Sequence, residues 1–328
     1  AARECLAQRG DGADVLHAHS LSDHPALDAA EFGVRFSAAV MFSVALPELI
    51  RPISNNKQDA GVAMNFAPEL FAGRSAVVTG GATGIGWYIV RMLGGLGANV
   101  GIVSRKEENL VRASEQFKAE DGIDVAWRTG DVRDPDGIKK AIDELANENG
   151  GLDILVCNAA GNFICPTEEL SWNGWRTVIE IDLNGTFNCC QAALPYLKNA
   201  GDGGRIISIS TTGANFGWPT AAHAGAAKAG IQNLMKSLAV EWGGYGIRCN
   251  WISPGPIKGT EGVDRLIIQQ GMAEKVTKSI PLGVFGDGDD IANAVVFLAG
   301  ETGKYISGAE LVVDGGAQWN RRSMPNKD

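Results

Sequence analysis

The sequence predicts a single doubly wound α/β domain, in which seven parallel strands form one sheet with helices on both faces. Short apolar segments alternate with longer helical segments, and this alternation requires parallel strands joined by right-handed crossovers. A glycine-rich turn follows the first apolar segment and opens a helix. The chain also holds 43 glycines among 328 residues, which suits a fold with many tight turns between strands and helices.

The strands and the helices between them follow from residue 74 onward in the order that this fold requires. Each predicted strand is a short apolar run, and each predicted helix is a longer segment of mixed polarity. The strands are predicted at 75–79, 99–104, 125–129, 152–158, 204–210, 248–253 and 310–314. The helices are predicted at 84–96, 107–120, 136–149, 172–197 and 222–242. The pattern indicates no second domain and no internal repeat.

Both ends of the chain differ from this pattern. Residues 1–68 hold scattered histidines and acidic residues without a sustained period, so we expect a poorly ordered, irregular extension with at most one short helix. The folded domain is predicted at 69–320, followed by a C-terminal tail at 321–328. The acidic residues argue against a transit peptide, and the terminal Asn-Lys-Asp is not a peroxisomal address of the Ser-Lys-Leu type.

Composition argues against several classes of protein. A formal net charge of −9 argues against a nucleic-acid partner, which usually requires a basic face on the protein. The longest apolar run, at 36–49, is shorter than the roughly 18 residues that a membrane span needs, and it contains Pro47. The six cysteines show no metal-ligand spacing, so we expect no metal site and predict buried thiols in a reducing compartment.

The glycine-rich turn predicts a binding site for a dinucleotide. Gly80, Gly84 and Gly86 directly follow the strand at 75–79 and open the helix at 84–96. Glycines let the backbone turn tightly and approach a pyrophosphate, and the N-terminus of the helix offers free N–H groups and a favourable dipole. Because strand, turn and helix agree in position, the turn indicates a Rossmann-type cofactor site.

The residues after the second strand indicate which dinucleotide is bound. A site selective for NAD commonly has an acidic residue there, which hydrogen-bonds the adenosine ribose. This sequence has Ser104, Arg105 and Lys106 instead. An acidic side chain would repel a 2′-phosphate, whereas the planar guanidinium of Arg105 can bind it, so NADPH is the predicted cofactor. The alternative is that Arg105 and Lys106 belong to a solvated surface.

Residues 74–318 resemble the classical short-chain dehydrogenase/reductase family. The resemblance is carried by Thr79–Gly86 (TGGATGIG), Gly130–Val132 (GDV), Asn158–Gly161 (NAAG) and Pro254–Thr260 (PGPIKGT). It implies a homo-oligomer, usually a tetramer. It also implies that Asp131 contacts the adenine, Asn158 stabilises the sheet, and 254–260 closes over the nicotinamide. The residues expected at the cofactor are Gly80, Thr83, Gly84, Ile85, Gly86, Arg105, Asp131, Val132, Asn158, Lys228, Pro254, Gly255, Ile257 and Thr260.

The sequence departs from this family at the catalytic signature. The family has Tyr-x-x-x-Lys on the long helix, a serine before the tyrosine, and an asparagine one helix earlier. Lys228 is present, but Ala224 stands at the tyrosine position. Thr211 stands at the serine position and Asp182 at the asparagine position. Reduction of a ketone needs an acid that protonates the alkoxide at once, so the sequence indicates either another reaction or a loss of activity.

One branch of the family, the peroxisomal-type 2,4-dienoyl-CoA reductases, shares this departure. The resemblance to it is closest at Gly161–Pro166 (GNFICP), His223–Lys228 (HAGAAK), Leu238–Trp242 (LAVEW) and Gly255–Gly262 (GPIKGTEG). It implies an NADPH-dependent reduction of 2,4-dienoyl-CoA to 3-enoyl-CoA in the β-oxidation of unsaturated fatty acids. It also implies a peroxisomal location, with the cytoplasm as the alternative because the C-terminal address is missing.

The chemistry of this reaction suits the residues present. Hydride addition at Cδ spreads negative charge to the thioester oxygen, where hydrogen bonds stabilise it without immediate protonation. By resemblance, Lys228 binds the nicotinamide ribose, Asp182 delivers a proton to Cα through a water, and Thr211 donates a hydrogen bond to the substrate. The arginines among the residues expected at the acyl-CoA suit its phosphates. Those residues are Arg133, Phe163, Ser171, Trp172, Asn173 and Arg265.

Simpler interpretations stay open for several of these residues. Asp182 can cap a helix or form an ion pair in the core, and Thr211 can satisfy the end of a strand. His223 is a tempting acid beside the vacant tyrosine position, but a step of one residue should turn its side chain away from that position. Trp172 and Trp175 are three residues apart on one helix, which favours packing over contact with a ligand, although Trp172 can do both.

Two other functions compete with the dienoyl-CoA reductase. One is another short-chain reductase, such as one that acts on 3-oxoacyl thioesters. The other is a non-catalytic relative that binds the nucleotide without turnover, although the phosphate turn and Lys228 are both present. Restoring tyrosine at position 224 should separate the first alternative from the dienoyl-CoA reductase, because the phenol serves only carbonyl reduction.

Overall fold

The computed structural model describes residues 66–320, apart from the side chain of Leu266. The predictions for the N-terminal extension and the C-terminal tail fall mainly on 1–65 and 321–328, which lie outside the described residues. Within the described part, turns lead into the first strand, and Phe71 is buried against the core. No helix in this part is both long enough and apolar enough to cross a membrane.

Seven parallel strands form one sheet, as predicted. They are β1 (Ser75–Thr79), β2 (Asn99–Ser104), β3 (Val125–Thr129), β4 (Ile154–Cys157), β5 (Arg205–Ile209), β6 (Arg248–Pro254) and β7 (Glu310–Val313). Their order across the sheet is β3-β2-β1-β4-β5-β6-β7. Val77 of β1 is in register with Gly101 of β2 and Leu155 of β4. The order reverses between β1 and β4, which is where doubly wound sheets open a crevice for a ligand.

Nine α-helices lie in the described part of the chain. They are α1 (Gly84–Gly95), α2 (Glu107–Gln116), α3 (Pro135–Glu148), α4 (Trp172–Ile179), α5 (Gly185–Leu197), α6 (Ala222–Trp242), α7 (Glu261–Val263), α8 (Ala273–Ser279) and α9 (Gly288–Ala299). The single helix predicted at 172–197 is interrupted by a π-helical turn at Glu180–Asn184. A π-helical turn inserts one residue without ending the helix, so hydrophobic periodicity does not reveal it.

The helices bury an apolar layer on each face of the sheet. Leu93 of α1 and Val295 of α9 belong to one layer. Leu145 of α3 and Met235 of α6 belong to the other. Full burial of such a side chain is worth about 1.5–3 kcal/mol, so the two layers fix the sheet that carries the site. Four of the six cysteines are buried in the second layer, as predicted for structural thiols: Cys157, Cys189, Cys190 and Cys249.

The helices between β6 and β7 are absent from the sequence prediction. The segment of α9 (GDDIANAVVFLA) is apolar on nearly all sides beyond its first turn, so its helical period is hidden. Its start is marked by a capping box, in which the carboxylate of Asp290 accepts a hydrogen bond from the N–H of Asp287 at 2.8 Å. The usual signature of this motif has glutamate or glutamine in place of Asp290, which explains why the start is hard to detect.

Candidate active site

The candidate site is a cavity of about 500 Å³ at the carboxyl ends of the strands. It lies between the start of α1, the loop after β5 and the segment after β6. Doubly wound sheets bind their ligands at this edge, near the point where the strand order reverses. Six of the predicted site residues are on its wall: Ile85, Thr211, Pro254, Gly255, Ile257 and Thr260.

The phosphate turn has no room for side chains at its tightest point. A Cβ on Gly86 would stand 2.3 Å from the carbonyl oxygen of Gly80 and 2.6 Å from Nδ2 of Asn158. Gly80 has a φ of 66°, in the left-handed region that favours glycine. Thr83 precedes α1 with an extended backbone and makes no side-chain cap. The first N–H groups of the helix therefore keep their capacity to bind a pyrophosphate, and the turn fits a dinucleotide.

Asn158 ties the end of β4 to the phosphate turn. Its side-chain amide donates to the carbonyl oxygen of Thr79 at 3.0 Å and to that of Gly80 at 3.2 Å. Its backbone N–H donates to the hydroxyl of Thr79 at 3.0 Å. These bonds join β1 and β4 where the strand order reverses, so Asn158 holds the shape of the turn that Gly86 requires.

Arg105, Asp131 and Arg133 gather beyond the ends of β2 and β3. The guanidinium of Arg133 donates to Asp131 through Nε at 3.0 Å and through Nη2 at 2.5 Å. These hydrogen bonds lower the pKa of the Asp131 carboxyl, and the charge of Arg105 adds to the effect. Asp131, which is predicted at the adenine, and Arg133, which is predicted at the acyl-CoA, therefore form a pair. Arg105 is exposed beside them. Val132, between them, is buried.

The segment after β6 has a well-fixed backbone. The hydroxyl of Thr260 donates to the carbonyl oxygen of Ile257 at 2.8 Å and accepts from the N–H of Val263 at 3.3 Å, which caps α7. Ile257 is buried. A Cβ on Gly255 would lie 2.8 Å from the Cα of Asp314, so only glycine lets the segment leave β6 beside β7. The four predicted cofactor residues of this segment thus form one continuous part of the wall.

Asp182 and Lys228 form a buried ion pair. The Nζ of Lys228 lies 3.4 Å from Oδ2 of Asp182 and donates to the carbonyl oxygen of Ile209 at 2.8 Å. The other carboxylate oxygen, Oδ1, accepts from the N–H of Gly161 at 2.7 Å. Asp182 is 1% exposed and Lys228 is 8% exposed. Two predicted catalytic residues, from the π-helical turn and from α6, are therefore in contact.

Burial raises the pKa of the Asp182 carboxyl above its ordinary range, while Lys228 and the N–H of Gly161 oppose the shift. The protonated acid therefore persists to higher pH than in an exposed aspartic acid. The contacts are those expected for an ion pair in the core, and the raised pKa adds the proton affinity that a general acid needs.

The vacant tyrosine position is filled by packing. Ala224 is 2% exposed and belongs to a small buried apolar cluster, against which Phe163 and Trp218 pack. No tyrosine lines the cavity in the described part of the chain. Tyr196, for example, donates its hydroxyl to Asp143 of α3. A phenol that could protonate an alkoxide is therefore missing from the wall.

Thr211 lies on the cavity wall where β5 ends. Its hydroxyl oxygen accepts a hydrogen bond from the N–H of Gly213 at 3.3 Å. Accepting this bond leaves the hydroxyl proton available for donation. The two sequence interpretations of Thr211 are therefore compatible, since it satisfies the strand end and can still donate into the cavity.

Phe163 connects His223 with α4. The ring centroids of Phe163 and His223 are 4.3 Å apart. A Cβ on Gly174 would lie 2.9 Å from Cζ of Phe163, so this glycine makes room for the ring. His223 and Ala224 are both buried, and Phe163 packs against His223 and against the cluster that holds Ala224. Phe163 therefore links His223 with this cluster, and the direction of the His223 side chain relative to that of Ala224 stays a prediction.

None of the six residues predicted at the acyl-CoA is on the wall of this cavity. Arg133 and Phe163 make the contacts described above, and the other four lie at α4 and after α7. Ser171 is the N-cap of α4, and its hydroxyl accepts from the N–H three residues later at 3.0 Å. Trp172 is 85% exposed, so it does not pack within the described part of the chain. Asn173 is also exposed. Arg265 forms an ion pair with a glutamate one turn earlier at 2.8 Å.

The wall also contains residues that the sequence prediction does not select. Most of them are apolar side chains in loops or short helices, where periodicity gives no signal. Phe216 and Trp218 are two aromatic residues in a glycine-containing loop shortly after Thr211. This combination is the sequence feature that could have identified them as residues of the site. The wall residues not selected from the sequence include Asn162, Ile164, Phe216, Trp218, Ile267 and Met272.

Comparison with known sequences gives consistent matches. The family model described as Enoyl-(Acyl carrier protein) reductase matches residues 80–318. The chain is 40% identical over 271 residues to the peroxisomal 2,4-dienoyl-CoA reductase, (3E)-enoyl-CoA-producing, of Arabidopsis thaliana, with 80% of this chain and 90% of that protein covered. It is 39% identical over 250 residues to the probable 2,4-dienoyl-CoA reductase, (2E)-enoyl-CoA-producing, of Bacillus subtilis, with 75% and 96% covered.

Comparison with solved structures gives the same fold. A gluconate 5-dehydrogenase from Burkholderia cenocepacia in complex with NADP and tartrate superposes with a TM-score of 0.71 at 30% sequence identity. The match covers 76% of this chain and 96% of that one. Similarity in fold and in sequence therefore extends over the whole described domain.

Proposed function

Because the chain belongs to the short-chain dehydrogenase/reductase family, we propose that it is an NADPH-dependent reductase that converts 2,4-dienoyl-CoA to 3-enoyl-CoA. The observation that carries the proposal is the tyrosine position, where Ala224 is buried and from which no phenol reaches the described wall. Without that phenol a carbonyl reductase lacks its proton donor, whereas a conjugated thioester can delocalise the charge. The names of both sequence relatives support the same substrate class.

The proposed reaction adds one hydride and one proton to the conjugated diene. Reduced nicotinamide supplies the hydride when it is bound. The residues proposed to hold the cofactor are the phosphate turn, Arg105, Asn158, Lys228 and the segment 254–260. Thr211 donates a hydrogen bond to the thioester oxygen, which takes up negative charge after the addition. Asp182 then passes a proton to Cα through a water. Lys228 compensates the charge of the carboxylate that remains.

The position of protonation decides the product. Protonation at Cα leaves a double bond at C3, whereas protonation at Cγ leaves it at C2. The Arabidopsis relative carries the (3E) product in its name and the Bacillus relative carries the (2E) product. We propose the 3-enoyl product, with Asp182 as the source of the proton at Cα, and the name of the Arabidopsis relative supports this choice.

The proposal is tested with the full chain, NADPH and a medium-chain 2,4-dienoyl-CoA. We expect NADPH oxidation and loss of the dienoyl absorbance at equal rates, with the product double bond at C3 by NMR. A 3-oxoacyl-CoA of the same chain length is the matched control substrate. Comparable turnover of that control would contradict the proposal and favour the carbonyl reductase. Tight NADPH binding without turnover of either thioester would favour a non-catalytic nucleotide-binding protein.

Arg105 is proposed to select NADPH over NADH. Replacement by glutamine, Arg105→Gln, should reduce the ratio of kcat/KM for NADPH to that for NADH by about 10- to 100-fold, since a hydrogen bond to a charged group is worth about 1.5–3 kcal/mol. Arg112→Gln is the control, because Arg112 is an arginine in the middle of α2 and bonds only Asn109 among the described residues. An unchanged ratio in Arg105→Gln would show that Arg105 belongs to a solvated surface.

We also propose a peroxisomal location, which the name of the Arabidopsis relative supports, with the cytosol as the alternative.

A homo-oligomer is proposed from the family resemblance. Trp172 of α4 and Phe187 of α5 are exposed, and self-association that covers such side chains would remove apolar surface from water.

A further inference from the structure

Trp218 is an aromatic side chain on the cavity wall that has part of the buried core directly behind it. Phe216, Ile164 and Met272 are all at least one third exposed, so they belong to the rim. Trp218 is half-buried and packs against the buried cluster that contains Ala224. The indole is therefore part of the inner wall, with the core of the protein directly behind it.

A glycine determines how deep the indole of Trp218 sits. A Cβ on Gly213 would lie 2.5 Å from Cε3 and 2.8 Å from Cδ2 of Trp218, closer than real Cβ atoms come to a neighbour. Gly225, in the first turn of α6, has the Cβ of the same tryptophan near it, at 3.7 Å from its own Cβ position. The indole rests against backbone at Gly213, so any side chain there would have to push the ring toward the cavity.

We infer that Trp218, supported by Gly213, sets the length of acyl chain that the site accepts. The inference rests on the proposed function and specifies its substrate class further. The apolar part of the wall suits a hydrocarbon chain, and each buried methylene is worth about fourfold in affinity. The gain in affinity per methylene ends where the acyl chain reaches the indole. The ring cannot move back without strain, because packed core side chains lie behind it. The tail of the acyl chain therefore ends against Trp218.

Two substitutions change this wall in opposite directions. Trp218→Ala removes the ring and should raise the ratio of kcat/KM for a long-chain 2,4-dienoyl-CoA to that for a short-chain one by about tenfold or more. Gly213→Val pushes the ring into the cavity and should lower the same ratio. Trp319→Ala is the matched control, because Trp319 is 77% exposed and is not on the cavity wall. Its ratio should equal that of the parent protein.

The inference and the proposed function fail in different ways. An unchanged ratio in Trp218→Ala, in a variant that is folded at the assay temperature and still reduces the short substrate, would overturn the inference alone. Trp218→Phe replaces Gly213→Val if the latter does not fold, and a ratio between those of parent and alanine variant is expected. If the parent protein reduces no dienoyl-CoA, calorimetry is used to measure the affinity of the parent and of Trp218→Ala for saturated acyl-CoAs of the same lengths. A length preference that Trp218→Ala shifts supports the inference without the reaction, and no length preference overturns it.

Discussion

Replacing Asp182 with asparagine should lower the turnover of a 2,4-dienoyl-CoA by about 10²- to 10⁴-fold, which is the range that general acids contribute. Asparagine keeps the size of the side chain and can still accept from the N–H of Gly161, but it cannot release a proton. The KM for NADPH should change far less than kcat, because the carboxylate contacts a lysine and a backbone amide rather than the phosphate turn.

The pH dependence of the parent enzyme provides a second readout of the same role. Because burial raises the pKa of Asp182, its acid form is present below that pKa and is lost as the pH rises through it. We expect kcat to fall with rising pH through this range, and the fall should be absent from the residual activity of Asp182→Asn. Glu180→Gln is the control, since it removes a carboxylate from the same π-helical turn. Full activity in Asp182→Asn would show that Asp182 is only an ion-pair partner.

Replacing Lys228 with methionine should have the second large effect, and it should reach both cofactor binding and stability. Removing one partner of a buried ion pair leaves the other charge unpaired, which costs about 3–5 kcal/mol. Methionine fills similar volume but donates no hydrogen bond to Ile209 and leaves Asp182 without its cation. We therefore expect kcat/KM for the dienoyl-CoA to fall by at least about 100-fold, together with weaker NADPH binding.

Denaturant unfolding and NADPH titration separate the two parts of the Lys228→Met effect. Lys236→Met is the matched control, because Lys236 is exposed on the same helix and lies over the ring of Trp251 at 5.4 Å. The control should keep its activity and lose little stability. If Lys228→Met unfolds like the control and binds NADPH like the parent, the proposed role of Lys228 at the cofactor is wrong.

Residues at strand ends and in the phosphate turn could be predicted from sequence because their signals are local. The strands at 75–79, 99–104 and 125–129 have the predicted bounds, since each is an apolar run between polar or glycine residues. The turn at Gly80–Gly86 could be predicted because the backbone there leaves no space for a side chain, so glycine is required.

Contacts that depend on distant segments could not be predicted in this way. Phe163 covers both His223 and the cluster around Ala224, although 60 positions separate it from His223 in the chain numbering. The depth of Trp218 depends on Gly213. The sequence also suggested that tyrosine restored at 224 would test for carbonyl reduction. Ala224 is enclosed by packed side chains, so Ala224→Tyr would first have to displace Phe163 or Trp218.

The extra residue in the π-helical turn at Glu180–Asn184 has a consequence for how this chain tolerates change in length. Each residue advances an α-helix by about 100° around its axis. Deleting one residue between Glu180 and Asn184 would restore a regular α-helix. The helix that follows would keep nearly its orientation relative to α4, because the wider π-helical turn holds one residue more than an α-helical turn. The change in direction would therefore fall on the side chains of the turn itself. Asp182 lies in this turn, and its backbone carbonyl oxygen accepts from the hydroxyl of Thr186 at 2.6 Å. Its carboxylate would no longer be directed at the N–H of Gly161 and at Lys228. A homologue that lacks one residue here would keep the sheet, but its aspartic acid would no longer be positioned as the proton donor.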